Sequence, residues 1–238
     1  MSFEIIPFET GAALARTAAQ RWLDELAARS DPAAPYCVAL SGGRIARELF
    51  DETARQATGR SISFTGVHFF WADERCVPPT DPESNFAVAN ERFFQPSGVP
   101  VAQIHRLRGE GPEEPVVREA VKEICAIAPL NAGGQPQLDL IFLGMGEDGH
   151  VASLFPGEPE DVAGSPAIYR VVTAVKPPPR RITLGYGAIA AARQVWVLAS
   201  GPGKEKALRE SVSPGGKTPL ARVLRLRQDT KIFTELNL

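Results

Sequence analysis

The sequence predicts an α/β fold with a mainly parallel β-sheet, and two observations support this prediction. Short apolar runs alternate with segments of helical periodicity along most of the 238 residues, which is the order of elements in parallel-sheet proteins. The runs are continuously apolar instead of alternating between apolar and polar residues. Strands that are covered by helices on both faces have this pattern.

The first half of the chain is predicted to hold three strands and four helices. A helix capped by Thr10 is predicted from apolar residues that recur every four positions, and Asp31-Pro32 is expected to end it. Residues 108–115 (RGEGPEEP) are expected to form a surface loop before a helix. The other predicted elements are strands at 3–6, Tyr36–Leu40 (YCVAL) and Val67–Trp71 (VHFFW), and helices at 45–57, at 84–94 behind Ser84, and at Glu113–Ile127.

The second half continues the same alternation. Strands are predicted at 138–143 (LDLIFL), at 182–184 and at 195–199 (VWVLA), a helix begins near Lys204, and a final edge strand is expected at 231–236. No internal repeat or low-complexity segment interrupts the pattern, and we expect one domain over residues 1–238.

Composition excludes several classes of protein. The 26 Lys and Arg residues against 28 Asp and Glu residues give a net charge of −2, so no basic excess exists to hold a nucleic acid. No run approaches the roughly 18 apolar residues that a membrane span needs. We therefore expect neither a nucleic-acid partner nor a membrane, and the lack of a heptad pattern favours a monomer.

The chain is expected to be cytoplasmic and free of metal. Its first residues include Glu4 and Glu9 and lack the apolar core of a signal peptide. Cys37, Cys76 and Cys125 are odd in number and have no CxxC spacing, which argues against a disulfide framework and a cysteine-rich zinc site.

Four polar loops each follow an apolar strand directly. They are residues 41–44, 72–75, 144–150 and 200–204. Ligands of open α/β sheets bind beyond the carboxyl ends of the strands. If these strands are parallel, all four loops lie at one edge of the sheet and build one site.

The first loop, Ser41-Gly42-Gly43, is a candidate anion cradle between a strand and a helix. Glycines let the backbone approach closely, and the N–H groups at a helix start point at an anion. Neither a P-loop nor a GxGxxG motif is present. A simple turn is the alternative interpretation.

The second loop places three charged residues, Asp73, Glu74 and Arg75, at the end of an aromatic strand. Such charges are costly unless they face a site or pair with one another. Either carboxylate can neutralise Arg75 in a purely structural loop, and this alternative has about the same weight as a functional role for the two carboxylates. For Arg75 a functional role is favoured, because a guanidinium suits bidentate phosphate recognition.

The third loop, residues 144–150, is the most informative. Three glycines make a tight turn, and His150 is expected at the start of a short helix, two residues after Asp148. A histidine at this edge can titrate near neutral pH and act as a general base. His68 and His105 lie elsewhere in the sequence and are expected to be structural.

The fourth loop places Lys204 at a helix start, where the helix dipole disfavours a cation unless an anion is bound. A solvated lysine is the alternative. Upstream, residues 176–183 form a cationic, proline-rich segment leading into a strand, and some of its charges are candidates to face the same anion.

These motifs resemble the 6-phosphogluconolactonase family. The matching blocks are LSGG at 40–43, DERCVPPTDPESN at 73–85, LGMGEDGHVASLFPG at 143–157, PPPRRIT at 177–183 and GPGK at 201–204. The second and third blocks are specific to that family, whereas the SGG and DGH cores also occur in glucosamine-6-phosphate deaminases.

The resemblance implies a Rossmann-like three-layer α/β sandwich with a small flanking subdomain. It also implies hydrolysis of 6-phospho-D-glucono-1,5-lactone in the oxidative pentose phosphate pathway, with no metal or organic cofactor. The expected catalytic residues are His150 and Asp148. The expected substrate-binding residues are Ser41, Gly42, Gly43, Arg44, Asp73, Arg75, Asn85, Gly146, Arg181 and Lys204.

The chemistry of these residues agrees with lactone hydrolysis, because an activated ester needs a base for water but no covalent nucleophile. His150 would deprotonate water and Asp148 would orient its ring or position the sugar. Backbone N–H groups of residues 144–149 would stabilise the oxyanion. The phosphate would lie against the Gly42–Gly43 turn with Arg75 and with Lys204 or Arg181.

One position departs from the family pattern. The family loop usually continues from SGG with a hydroxyl residue, threonine and proline, whereas this chain has Arg44-Ile45-Ala46. Arg44 can replace the lost hydroxyl donors with a charged fork, or it can be a solvent-facing arginine whose backbone alone matters.

Three other functions fit the sequence less well. A glucosamine-6-phosphate deaminase would continue after DGH with phenylalanine, asparagine, glutamate and proline, but this chain has ASLFP at 152–156. A non-catalytic sugar-phosphate sensor would normally carry a DNA-binding segment, for which no residues are spare. A scaffold role would leave the four polar loops unexplained.

Overall fold

Two β-sheets organise the protein in a computed structural model that describes residues 3–32 and 34–237. The strands are β1 (Phe3–Pro7), β2 (Tyr36–Leu40), β3 (Val67–Trp71), β4 (Asp73–Arg75), β5 (Leu140–Gly144), β6 (Tyr169–Thr173), β7 (Arg180–Leu184), β8 (Gln194–Ala199) and β9 (Thr230–Thr234). Six of them form one sheet in the order β1-β9-β8-β5-β2-β3, and every pairing in it is parallel. The other three form a small antiparallel sheet in the order β4-β7-β6.

Helices flank the large sheet. They are α1 (Gly11–Ala27), α2 (Arg44–Arg60), α3 (Asn85–Ala89), α4 (Glu113–Ile127), α5 (Glu160–Ala163), α6 (Tyr186–Ala191), α7 (Glu205–Val212) and α8 (Pro219–Leu226). Helices α1 and α2 pack against each other, α8 packs against α6 and α7, and α4 lies on β6 of the small sheet. A π-helical turn, Asn90–Phe94, extends α3 and completes the helix predicted at 84–94. The α/β class, the mainly parallel sheet and the small flanking unit are thus confirmed.

The first helix shows how local sequence sets an element. The Thr10 side chain accepts a hydrogen bond from the backbone N–H of Ala13 at 3.1 Å, which satisfies one of the free donors at the helix start. The face with four-residue spacing is buried, and Trp22 lies 5.2 Å from Phe142 of β5 between ring centroids. The helix ends at Ala27, four residues before the predicted Asp31.

The central strands are buried along their whole length. All five residues of β2 are buried, as are four of five in β5 and five of six in β8. Their continuous apolar pattern therefore reports burial on both faces, as predicted. The cluster of buried apolar residues runs through the large sheet and its helices and includes Tyr169 and Ile182 of the small sheet.

Two predicted strands have different neighbours from those expected. The last strand is not an edge strand, because β9 lies between β1 and β8 and bonds to both. The strand predicted at 182–184 begins at Arg180 and belongs to the antiparallel sheet, where it pairs with β4 and with β6. Strand β6, which the sequence analysis did not identify, has only one fully buried residue, Tyr169.

The parallel pairing of β2, β3, β5 and β8 places their carboxyl ends at one edge of the large sheet. The four polar loops therefore meet there, as the sequence analysis required. Among the residues described, no helix is long and apolar enough to cross a membrane.

Candidate active site

The four loops enclose one open cleft of about 490 Å³ at this edge. Its walls are formed by Ser41, Gly42, Gly43, Arg44, Ile45, Asp73, Arg75, Gly144, Met145, Gly146, His150, Ala152, Arg181 and Lys204. Ten of the twelve residues expected from the sequence line this cleft. The other two bond to lining residues, Asp148 to His150 and Asn85 to Asp73.

The loop that follows β5 is a tight turn closed by its own backbone. The N–H of Gly146 donates to the carbonyl of His150 at 2.9 Å, and the N–H of Gly149 donates to the carbonyl of Gly146 at 3.0 Å. These two N–H groups are therefore not available to an oxyanion, which excludes two of the donors expected from residues 144–149. The short helix expected at His150 is also absent, because isolated bridges join Val151 to Met145 and Leu154 instead.

His150 and Asp148 form the acid–base pair of the cleft. The His150 Nδ1 lies 2.5 Å from Asp148 Oδ1, which also accepts the backbone N–H of His150 at 3.1 Å. Burial acts to raise the pKa of Asp148, but the neighbouring His150 ring and the hydrogen bonds it receives hold that pKa below its usual value. With Nδ1 donating to the carboxylate, Nε2 carries the lone pair that a general base needs. The side chain of His150 is 27% exposed, so solvent reaches it.

A glycine is required beneath the His150 ring. A Cβ atom at Gly146 would lie 2.1 Å from both Nδ1 and Cε1 of His150. The glycine spacing in this loop therefore serves the position of the base as well as the turn.

Four cationic side chains line the cleft: Arg44, Arg75, Arg181 and Lys204. The Lys204 ammonium is partly buried beside the Arg44 guanidinium, and burial and that charge lower its pKa. Burial and the nearby Arg75 guanidinium likewise lower the pKa of Arg181. Cations that repel one another at a cleft are stabilised when an anion occupies it.

Arg181 and Arg75 are held by backbone carbonyls. The Arg181 guanidinium donates to the carbonyl oxygens of Pro178 at 3.1 Å and Lys176 at 3.3 Å. Arg75 Nη1 donates to the carbonyl oxygen of Glu83 at 2.6 Å. Both side chains still line the cleft, so their charges remain directed at it.

Asp73 lies at the floor of the cleft in a buried network. Its Oδ2 accepts the hydroxyl of Ser153 at 2.7 Å, and Asn85 Nδ2 donates to its carbonyl oxygen at 2.9 Å and to Oδ1 at 3.3 Å. Asn85 also explains why the first loop has glycine at position 42, because a Cβ atom there would lie 1.9 Å from Asn85 Oδ1. The network fixes the second loop against the first.

Glu74 has a structural role, but not the one considered from the sequence, which is neutralising the Arg75 guanidinium. Its carboxylate accepts the backbone N–H groups of Arg75, Asn85 and Phe86 at 2.7–2.8 Å and the Ser84 hydroxyl at 3.0 Å. It therefore anchors the start of α3. No described carboxylate of this loop pairs with the Arg75 guanidinium. Its ion-pair partner is Glu83, at 3.4 Å.

Two residues that line the cleft, Ser41 and Arg75, each have a buried side-chain atom, Oγ and Nε respectively, without a hydrogen-bond partner among the described residues. Ser41 is 5% exposed, lines the cleft, and its Oγ makes no hydrogen bond. Buried hydroxyls are normally paired. The start of α2 beside it has no side-chain cap. Both features provide donors for a bound anion or oxyanion.

The sequence analysis missed several residues that serve this cleft. Met145, Ile45 and Ala152 line it, Ser153 holds Asp73, and the Phe155 ring lies 5.0 Å from His150 between centroids. The ASLFP segment after DGH was the available signal for the last two, but it was used only as a family marker. His68 and His105 lie away from the cleft and stack on each other at 5.3 Å.

Together, the parallel-sheet fold and a cleft that joins a His–Asp pair to four cations define an enzyme acting on a small anionic substrate. A family model described as glucosamine-6-phosphate isomerases/6-phosphogluconolactonase matches residues 9–233. The chain therefore belongs to that family.

Individual relatives agree with this assignment. The chain is 32% identical over 225 residues to a 6-phosphogluconolactonase of Mycobacterium tuberculosis, covering 93% of this chain and 90% of that protein. The 6-phosphogluconolactonase structure of Trypanosoma brucei superposes with a TM-score of 0.86 at 24% identity over 98% and 96% of the two chains. A monomeric glucosamine-6-phosphate deaminase also has this fold, with a TM-score of 0.80 at 21% identity over 97% and 96% of the chains.

Proposed function

We propose that this enzyme hydrolyses 6-phospho-D-glucono-1,5-lactone to 6-phospho-D-gluconate in the oxidative pentose phosphate pathway. The observation that carries the proposal is the His150–Asp148 pair on the wall of a cleft lined by four cations. The pair supplies a base for water, and the cations supply a site for a phosphate. The curated relatives at 31–38% identity, which are 6-phosphogluconolactonases, support the same activity.

In the proposed mechanism His150 is the general base. Nε2 takes a proton from a water molecule as its oxygen attacks C1 of the lactone, and Asp148 stabilises the resulting imidazolium. The C1–O5 bond then breaks, and the imidazolium returns its proton to the departing O5. A lactone is an activated ester, so the mechanism needs no covalent enzyme intermediate.

The developing negative charge on the C1 oxygen needs donors that are free in the cleft. Gly146 and Gly149 are excluded because their N–H groups close the turn. The Ser41 hydroxyl and the uncapped start of α2 supply donors for this oxyanion or for the phosphate. We assign the phosphate to the cations, Arg44, Arg75, Arg181 and Lys204.

We also propose that the enzyme acts as a cytoplasmic monomer and needs neither metal nor organic cofactor. The free thiols of Cys37, Cys76 and Cys125 support a reducing compartment. The lack of a heptad pattern in the sequence supports a monomer.

The decisive experiment measures lactone hydrolysis with substrate made in situ and spontaneous hydrolysis subtracted. The wild type should accelerate the reaction, and His150→Ala should lose about 10²- to 10⁴-fold in kcat, the range for loss of general-base catalysis. Equal acceleration by both proteins would refute the role of His150. Ammonia release from glucosamine 6-phosphate without lactone hydrolysis would identify a deaminase instead.

A further inference from the structure

Phe155 touches two functional groups of the cleft at once. Its ring centroid lies 5.0 Å from that of His150, with the two planes tilted by 47°. On the same ring, the Arg181 guanidinium carbon lies 5.7 Å from the centroid. One aromatic ring thus joins the general base to one of the phosphate-binding cations.

Phe155 is not accounted for by the hydrophobic core. Its side chain is half-buried. Phe155 is not one of the described residues that form the hydrophobic core or pack against it. Phe155 also lines a neighbouring groove with Val162, Val171 and Val172, and His150 and Asp148 line that groove as well. A large aromatic side chain outside the core needs another reason for its place.

The electrostatics of the two contacts supply such a reason. The face of an aromatic ring attracts a cation, and Arg181 is a cation at all working pH values. His150 becomes a cation only after it takes the proton from water. The ring is therefore placed to hold Arg181 throughout and to stabilise the imidazolium during turnover.

The ring also restricts the motion of His150. Gly146 lies under the imidazole, Asp148 fixes Nδ1, and the Phe155 ring also lies against the imidazole. Rotation of the imidazole towards Phe155 would require the Phe155 side chain to move. Even a small displacement of a catalytic group lowers the reaction rate strongly.

We propose that Phe155 is a positioning residue that couples His150 to Arg181, so that phosphate binding and base catalysis depend on one ring. This inference rests on the lactone hydrolysis proposed above. It extends that proposal by assigning the LFP segment a role in holding the distance between the base and the cation.

The test compares Phe155→Leu with Phe155→Tyr in the full-length protein. Leu keeps the apolar volume but removes the ring face, and its kcat should fall and its KM rise, each by about twofold to thirtyfold, the fold-range that the strength of a cation–π contact implies. Tyr restores the ring face and should recover most of both. Phe86→Leu is the matched control, because Arg106 lies 4.6 Å from that ring and the ring does not line the cleft.

A second substrate separates the two contacts. With unphosphorylated glucono-1,5-lactone the KM penalty of Phe155→Leu should disappear, since Arg181 then has no phosphate to bind, while the kcat penalty should persist. The pH profile of kcat should also shift for Phe155→Leu, because the ring no longer stabilises the imidazolium. A purely structural role would change neither the substrate dependence nor the profile.

The results that would refute the role of Phe155 differ from those that would refute lactone hydrolysis. A wild type without lactone hydrolysis would refute the function itself. An active wild type with Phe155→Leu within twofold of it in kcat and KM, or with Phe155→Tyr as impaired as Leu, would overturn the role of Phe155. If the Leu variant does not fold, the Tyr variant decides, since a positioning ring predicts near-normal kinetics for it and an unchanged pH profile.

Discussion

At the scale of single residues, the cleft depends on two glycines that permit close approach. Gly42 admits the amide of Asn85, and Gly146 admits the ring of His150, each at distances that a Cβ atom would forbid. Neither has the left-handed backbone that would require glycine by itself, since neither has a φ in that region. The requirement is tertiary contact, which is why spacing alone did not reveal it.

Gly146→Ala is expected to inactivate the enzyme while leaving it folded. The new methyl group would displace the His150 ring from its position against Asp148, and we expect kcat to fall by about 10²-fold, the order of a mispositioned catalytic group. Gly215→Ala is the control, since no described atom lies within 4 Å of the position where its Cβ would lie. Lactonase assays and thermal melting of both variants check this. Normal kcat in Gly146→Ala would show that the ring tolerates the shift.

Arg44→Ala is expected to raise KM for the phosphorylated lactone with little change in kcat. The guanidinium lies beside Lys204 and lines the cleft, and hydrogen bonds to charged groups contribute about 1.5–3 kcal/mol, or roughly tenfold or more in KM. The control is Arg118→Ala, whose side chain is 70% exposed on α4. An unaltered KM in Arg44→Ala would mean that only its backbone serves the loop.

Residue-level prediction placed residues in the cleft where the residue type itself suggests a chemistry. His150, Arg181 and Lys204 line the cleft and Asp148 bonds to His150, as expected for a base, a carboxylate and cations in loops that follow strands. Ser153 was missed because a serine in an apolar segment carries no signal, and its bond to Asp73 joins residues 80 positions apart.

At the scale of elements, the carboxylate of Glu74 organises the start of α3. Burial raises the pKa of this carboxyl, against the opposing effect of the hydrogen bonds it receives from three backbone N–H groups and the Ser84 hydroxyl. The Ser84 side chain in turn caps the helix by accepting from Ala87 at 3.1 Å. The DER motif therefore contributes one side chain to helix placement and two to the cleft.

Glu74→Gln is expected to destabilise the protein by about 1–3 kcal/mol, because an amide cannot accept all of these bonds and leaves buried donors unpaired. Glu83→Gln, at an exposed position outside the loop of residues 72–75, should change stability much less. Urea denaturation of the two variants measures the difference. Equal stabilities would show that solvent replaces the lost acceptor.

The outer edge of β3 carries a histidine pair that should make stability depend on pH. His68 Nδ1 lies 3.0 Å from His105 Nε2, Phe70 stacks on His105 at 4.6 Å, and Glu123 lies 3.8 Å from His105 Nδ1. Burial, with the neighbouring His68, lowers the pKa of His105 from 6.5 to about 4.

Stability should therefore fall as pH decreases from about 6.5 to about 4, since in this window the unfolded chain binds a proton that the folded His105 does not. Glu123 is the one described carboxylate paired with His105, and its own pKa is raised by burial. Thermal melting across this range should show a shallower decline for His105→Gln than for the wild type. Parallel declines would show that other groups cause the loss.

The order of helices and strands along the chain was easier to predict from the sequence than the pairing of the strands in the sheets. Periodicity and caps identified α1, α2, α4 and the buried strands, because those signals are local. The place of β9 inside the sheet and the separate sheet of β7 depend on pairings between distant segments. Strand β6 escaped notice because most of its residues are only half-buried.

At the scale of the whole molecule, the two sheets share one apolar core. The Tyr169 hydroxyl of β6 donates to the carbonyl of Trp71 in β3 at 2.8 Å, and the backbone N–H of Leu184 donates to Ala72 at 2.8 Å. We therefore predict a single domain, seen as one unfolding transition in calorimetry, with a calorimetric enthalpy equal to the van't Hoff enthalpy. Two resolved transitions would mean that the small sheet unfolds independently of the large one.

If the enzyme is a monomer, light scattering should give the chain mass of 25.6 kDa.

The central position of β9 has a consequence for how the protein is made. Of the described strands, β1 is synthesised first and β9 last. In the sheet, however, β1 pairs with β9, and β8 lies on the other side of β9. During translation β1 must wait for residues 230–234, so the nascent chain carries β1 without its partner strand until β9 has been synthesised. The cleft is built on the same sheet, and a ribosome-bound chain lacking those residues would therefore be inactive.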